Sequence, residues 1–163
     1  MGSIVIYFAY GSNCNLHNLR AYIVQHGCDP SGIRNPRRAF LDDFRIRTNY
    51  QKTGLVGGAA ANVEAAKGKR VEGLLLDISP EVHRCLRRKE GYPRRYTENI
   101  VFVHLPRRRS LILAMTYIVS PQYQLKVDMP VHATYRATIL EGAKKAGFTK
   151  KYRRHLSALL RTA

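Results

Sequence analysis

Carboxylates are scarce in this chain: 11 Asp and Glu stand against 28 Lys and Arg, a formal net charge of +17 over 163 residues. A field of that sign attracts polyanions, acidic small molecules and anionic surfaces, makes association salt-dependent, and leaves the fold open. Cysteine is sparse too. Cys14, Cys28 and Cys85 are odd in number, widely spaced and without a C-x-x-C pair, so neither a zinc site nor a secreted disulfide framework is expected, and a reducing cytoplasm is the default compartment. No apolar run is long enough to span a bilayer; the run over 4–10 is short and has no basic segment before it, which predicts a soluble chain without signal peptide or anchor. The histidines show no metal-ligand spacing, Ser12 lies outside a G-x-S-x-G elbow, and no Walker or dinucleotide glycine pattern occurs. Nucleophilic hydrolysis and nucleotide-dependent chemistry are therefore disfavoured.

The length fits one domain, able to bury about two-thirds or more of its unfolded surface without a staple. Leu16, Leu19, Tyr22 and Ile23 recur at helical spacing, with Asn15 as N-cap and Gly27 as the stop. Phe44 and Ile46 alternate with charged residues within 39–47, the pattern of a half-buried strand. The Gly/Ala-dense stretch 54–61 suits a loop or strand where backbones or a ligand crowd closely, and 71–78 is a second strong strand. Ser79, Pro80 and Glu81 open a helix with a capping hydroxyl, a first-turn proline and an early carboxylate; Val82, Cys85 and Leu86 form its buried stripe, and Gly91 and Pro93 end it. Strands over 96–105 and 111–119 flank a hairpin tip carrying Arg107, Arg108 and Arg109. Two tail helices follow, the first with Tyr135, Ile139, Leu140 and Ala143 on one face, the second capped by Thr149. Irregular alternation of strands and helices predicts an α+β domain rather than a doubly wound parallel sheet.

Two features could carry chemistry. The apolar run Ile4, Val5, Ile6, Tyr7, Phe8, Ala9, Tyr10 breaks abruptly into Gly11, Ser12, Asn13, a turn whose N–H groups, left out of any ladder, can bind an anion or a developing oxyanion. Glu90 lies where a helix ends, beside Gly91 and among Arg84, Arg87, Arg88, Lys89, Arg94 and Arg95. The helix macrodipole disfavours a carboxylate there, which sets a role beyond structure beside the plainer reading of a solvated charged surface, the one these residues alone favour mildly. Most of these arginines are expected to face solvent or the pocket mouth.

Taken in order, Tyr7-Phe8-Ala9-Tyr10-Gly11-Ser12-Asn13, the stretch Gly57-Gly58-Ala59-Ala60-Ala61, Val71-Glu72-Gly73-Leu74, and Glu90-Gly91 followed by Tyr96 resemble the gamma-glutamylcyclotransferase-like superfamily. Tyr135 ahead of Gly142-Ala143-Lys144, Gly147, Tyr152 and Leu156 is similar to the cytosolic, glutathione-pathway branch. The resemblance covers nearly the whole chain and implies a single domain over 1–163, with a mixed sheet curled into a small barrel and short flanking helices. It further implies a cofactor-free, metal-free intramolecular aminolysis that releases 5-oxoproline from a γ-glutamyl amino acid or amine. Glu90 matches the family's catalytic glutamate, acting as general acid and base. Tyr7, Phe8, Ala9, Tyr10, Gly11, Ser12 and Asn13 match its substrate-binding loop, and Tyr96 and Tyr135 match tyrosines lining the pocket, with Tyr123 in reserve for Tyr135. The expected partner is a small γ-glutamyl substrate, with no membrane and a monomeric or homodimeric state. The alternative is a catalytically idle, basic cyclotransferase-like module that binds nucleic acid, non-specifically, or another polyanion.

Overall fold

A computed structural model describes residues 2–51 and 58–163. Five strands form one sheet in the order β2-β3-β1-β5-β4. β1 (Val5–Ala9) is the middle strand, antiparallel to β3 (Ala59–Ile78) and parallel to β5 (Ile112–Val119). β2 (Ile33–Gln51) pairs antiparallel with β3, and β4 (Tyr96–Val103) pairs antiparallel with β5. The sheet is thus mixed, and four helices flank it: α1 (Leu16–Gln25), α2 (Pro80–Glu90), α3 (Ala133–Lys145) and α4 (Lys150–Leu159). The core joins β1, β3 and β5 to Leu19 and Ile23 of α1, Val82 and Leu86 of α2, Ile139 of α3 and Leu156 of α4.

The sheet is open, which corrects the expected barrel. β2 and β4 are its two edges, with no ladder between them among the described residues; they approach at one backbone bridge, Phe40 with His104 beyond the end of β4, and through the edge-on rings of Tyr50 and Tyr96. β2 runs for 19 residues and β4 for 8, and three irregularities in the β2–β3 register bend the long hairpin over the rest. Its far end meets β5 through a side chain, Val119 N–H donating to Asn62 Oδ1 at 3.0 Å, in place of a ladder that would close the ring.

Local chemistry sets the elements that carry the site. Gly11 leads into a 3₁₀ turn (Ser12–Cys14) and then α1, whose cap is Asn15, its side chain accepting from Asn18 N–H. Ser79 Oγ accepts from Val82 N–H to start α2, and Gly91, at φ +65°, ends it in the left-handed conformation that lacks a Cβ penalty only for glycine. Glu90 is consequently the last helical residue. The strand read over 71–78 is the second half of the much longer β3, and residues 54–57 of the Gly/Ala stretch lie outside the described residues.

A second correction concerns sulfur. Cys28, in the loop after α1, is bonded to Cys85 on the buried face of α2, while Cys14 is free and buried. The sequence separation of 57 hid a pairing that depends on α2 packing beside the end of α1. Among the described residues no helix is long and apolar enough to cross a membrane.

Candidate active site

β1 delivers the chain into the site by strand alternation. Tyr7 projects toward the pocket, whereas Phe8 faces the opposite side of the sheet, over Gly73, where an added Cβ would come within 2.3 Å of the Phe8 ring. Beyond the strand, Tyr10, Gly11, Ser12 and Asn13 wrap around the pocket. The turn's first backbone bond runs from Cys14 N–H to Gly11 C=O at 3.1 Å. The N–H groups of Ser12 and Asn13 precede it and find no backbone acceptor among the described residues.

Glu90 arrives from the end of α2 and meets this turn directly. Asn13 Nδ2 donates to Glu90 Oε1 at 3.0 Å and to Tyr7 Oη at 2.8 Å, so one buried amide links β1, the turn and α2. Lys89 Nζ lies 3.7 Å from the same carboxylate oxygen. Among the described residues no arginine bonds Glu90. Arg87 is held by Glu98, Arg94 donates to Tyr123 Oη at 2.9 Å, and Arg95 reaches Tyr50 Oη at 3.5 Å.

Tyrosines make up half of the lining residues. Tyr10 Oη donates to the Tyr117 carbonyl at 2.6 Å, Tyr96 Oη donates to the Ala61 carbonyl at 2.9 Å, and Tyr135 Oη accepts from Ala61 N–H at 2.9 Å. Tyr117 packs edge-on against Tyr7 with ring centroids 5.8 Å apart. Burial pushes the phenols of Tyr7, Tyr10, Tyr96, Tyr117 and Tyr135 above their ordinary range, and the charge of Glu90 adds to this at each of them. They remain neutral, hydrogen-bonding walls around one carboxylate. The space they leave is small, about 40 Å³.

The structure therefore brings Tyr7, Tyr10, Gly11, Ser12, Asn13, Glu90, Tyr96 and Tyr135 around one pocket. Phe8 and Ala9 do not reach it; they are fully buried in the core, and Ala9 contributes its carbonyl, 3.1 Å from the Cys14 thiol. Tyr123 also stays outside, its ring edge-on to Tyr50. Ala61 and Tyr117 line the pocket without having been singled out in sequence. Ala61 lay in the quoted Gly/Ala stretch, and Tyr117 carried no signal beyond its place in a strand. Among the described residues no three His, Cys, Asp or Glu side chains gather where a metal ion could be held.

The profile of the AIG2-like family matches residues 70–156, more than half of the chain. The chain belongs to the AIG2-like family. The matched span carries Glu90, Tyr96, Tyr117 and Tyr135, while the turn from Tyr7 to Asn13 lies ahead of it. The AIG2-like chain is also similar to a solved gamma-glutamyl cyclotransferase, with a TM-score of 0.82 at 22% identity over 98% of this chain and 90% of the other. An uncharacterised human protein gives 0.78 at 24% identity over 99% and 90%. A yeast gamma-glutamyl cyclotransferase specific to glutathione gives 0.66 at 17% identity over 98% and 95%. At these identities the likeness is one of fold. No curated protein sequence matches the chain.

Proposed function

We propose that this AIG2-like chain is a γ-glutamyl cyclotransferase, forming 5-oxoproline from a γ-glutamyl amino acid or amine and releasing the free amine. The observation that carries the reading is the Asn13 bridge. The turn and Glu90, 77 residues apart in sequence, share a hydrogen bond of 3.0 Å in one pocket.

The substrate's α-ammonium gives a proton to Glu90, and the freed amine attacks the γ-carbonyl carbon, forming the C–N bond of the five-membered lactam. The tetrahedral oxyanion lies against the N–H groups of Ser12 and Asn13. Glu90 gives its proton to the leaving nitrogen and takes the second proton of the attacking nitrogen, the original amide C–N bond breaks, and that proton passes to the released amine, which regenerates the carboxylate. Nucleophile and electrophile belong to one molecule, so the pocket's main task is to hold it bent, which its five tyrosines suit. Asn13 aims the carboxylate, and the Lys89 ammonium offsets the unfavourable helix end.

Replacing Glu90 with Gln keeps the shape and removes the base. With γ-glutamyl amino acids, γ-glutamyl amines and glutathione as the panel, 5-oxoproline release should fall by a factor of about 10² to 10⁴. An equally fast Gln variant, or a wild-type protein inert toward the whole panel, would count against the reading. The cytoplasm is the compartment this reaction implies. Disulfides seldom persist there, so Cys28 and Cys85 should then stand as thiols in the cell.

A further inference from the structure

A second concavity lies behind the substrate turn, between α1, β2, β3 and the junction of α3 with α4. It encloses about 470 Å³, well within the range of small-molecule sites. Its floor is apolar: Leu16, Pro36, Leu74, Ala146 and the buried Cys14. The polar lining is Arg20, Arg38, Lys145 and the imidazole of His17, and contains no carboxylate.

The cations are held to different degrees. Arg38 is fixed, its Nη1 donating to the Gly147 carbonyl and its guanidinium 5.6 Å from the centre of the Phe40 ring. Its Nε–H is buried and, among the described residues, has no hydrogen-bond partner, an unmet donor beside the groove. Arg20 makes no ion pair among the described residues. Lys145 pairs with Glu141 at 2.8 Å, and that carboxylate, more than half exposed, is outside the lining. Two guanidinium forks, an ammonium and an imidazole over an apolar floor suit a compact dianion with an apolar body.

We propose that this groove is a second ligand site, taking a small organic phosphate monoester whose phosphoryl group sits between Arg20 and Arg38 and whose apolar part lies on Leu16 and Leu74. The proposal is independent of the reaction assigned to Glu90. The groove shares its wall with that pocket, since Cys14 closes the 3₁₀ turn that starts from Gly11.

Calorimetric titration of the full chain with phenyl phosphate, at an ionic strength of about 0.15 M to suppress surface attraction, tests it. One saturable site is expected, with tenfold or greater weakening in both Arg20→Gln and Arg38→Gln and no change in Arg109→Gln, a substitution at the hairpin tip outside the groove's lining. Arg20 is exposed and unpaired, so its variant should fold normally even if loss of the Arg38 contacts disturbs the fold. Unchanged affinity in Arg20→Gln, or equal weakening in Arg109→Gln, would show that only the general positive field is at work. Inorganic phosphate binding as tightly as phenyl phosphate would remove the apolar floor from the proposal, and benzoate binding as tightly would remove the phosphoryl preference; either overturns it.

Discussion

Glu90 ends α2 and Glu98 lies in β4, and the contrast between them is that of an unsaturated carboxylate, the one proposed to move the proton, with a fully paired one. Glu98 is saturated: Arg87 donates to both of its oxygens at 2.7 and 2.8 Å, Tyr117 Oη donates at 3.1 Å, and His83 Nε2 lies 2.7 Å away. The Arg87 bonds do most to bring its carboxyl down to about 2, against a partial opposition from burial. Glu90 has one amide donor and an ammonium at 3.7 Å, which leaves lone pairs facing the pocket. The depressed carboxyl of Glu98 has a consequence for stability. Unfolded glutamate takes its proton near pH 4.3, whereas folded Glu98 resists until about 2. Its contribution is therefore present above the unfolded value and is lost as pH falls from there toward 2. Urea unfolding between pH 5 and pH 2 should show a shallower pH dependence in Glu98→Gln than in the wild type; parallel curves would mean that the pairing contributes nothing. At this scale the sequence was informative about Glu90, because Gly91 marks the helix end and the surrounding basic residues make a lone carboxylate visible. It over-read Phe8 and Ala9, which fall outside the pocket for different reasons: a contiguous motif conceals that a strand turns Phe8 to the face opposite Tyr7, and the short side chain of Ala9 is buried in the core. It was silent on Tyr117, which is brought to the pocket by sheet pairing and not by any local pattern.

Between elements, the contact that most directly positions the site is α3 against the 3₁₀ turn. Gly142 makes it possible: an added Cβ would lie 2.7 Å from Asn15 N and 2.9 Å from Asn15 Cα and Cys14 C, all backbone atoms unable to rotate aside. Alanine is the better helix former by about 1 kcal/mol, so propensity alone predicts that Gly142→Ala stabilises. The close approach predicts the reverse, a net loss of about 1–3 kcal/mol typical of overpacking, together with slower 5-oxoproline release as the turn is pushed off Glu90. Thermal unfolding decides the sign, and a variant melting at or above the wild-type temperature would show that α3 does not seat on the turn as described. Helix starts were legible because caps are local chemistry: Asn15, Ser79 and Thr149 each accept from the N–H three residues on. The Cys28–Cys85 bond and the great length of β2 and β3 were not, because both depend on which distant segments pack together.

For the whole molecule, the excess of positive charge is plain in the composition, but only the structure shows how it is spread. Arg37, Arg45, Arg47, Arg70 and Arg87 are taken up by Asp77, Glu64, Asp128, Asp42 and Glu98. Exposed cations remain on separate elements: Arg84 on α2, Arg107, Arg108 and Arg109 at the β4–β5 tip, and Lys150, Lys151 and Arg154 on α4. That dispersal differs from the continuous basic stripe of a dedicated nucleic-acid surface. It predicts attraction without readout: anisotropy titrations with unrelated single-stranded oligonucleotides should give equal affinities that fall together by about 10³ or more between 50 and 200 mM salt if six or more phosphates are engaged. Affinity that survives this range and discriminates between sequences would instead favour the polyanion-binding module. The same dispersal bears on the proposed reaction, because a field with no single focus draws γ-glutamyl carboxylates toward the molecule but leaves selection among them to the tyrosine-lined pocket. Raising salt should therefore slow 5-oxoproline release chiefly through weaker substrate capture, with kcat largely retained, since the proton transfer occurs between groups already enclosed with Glu90.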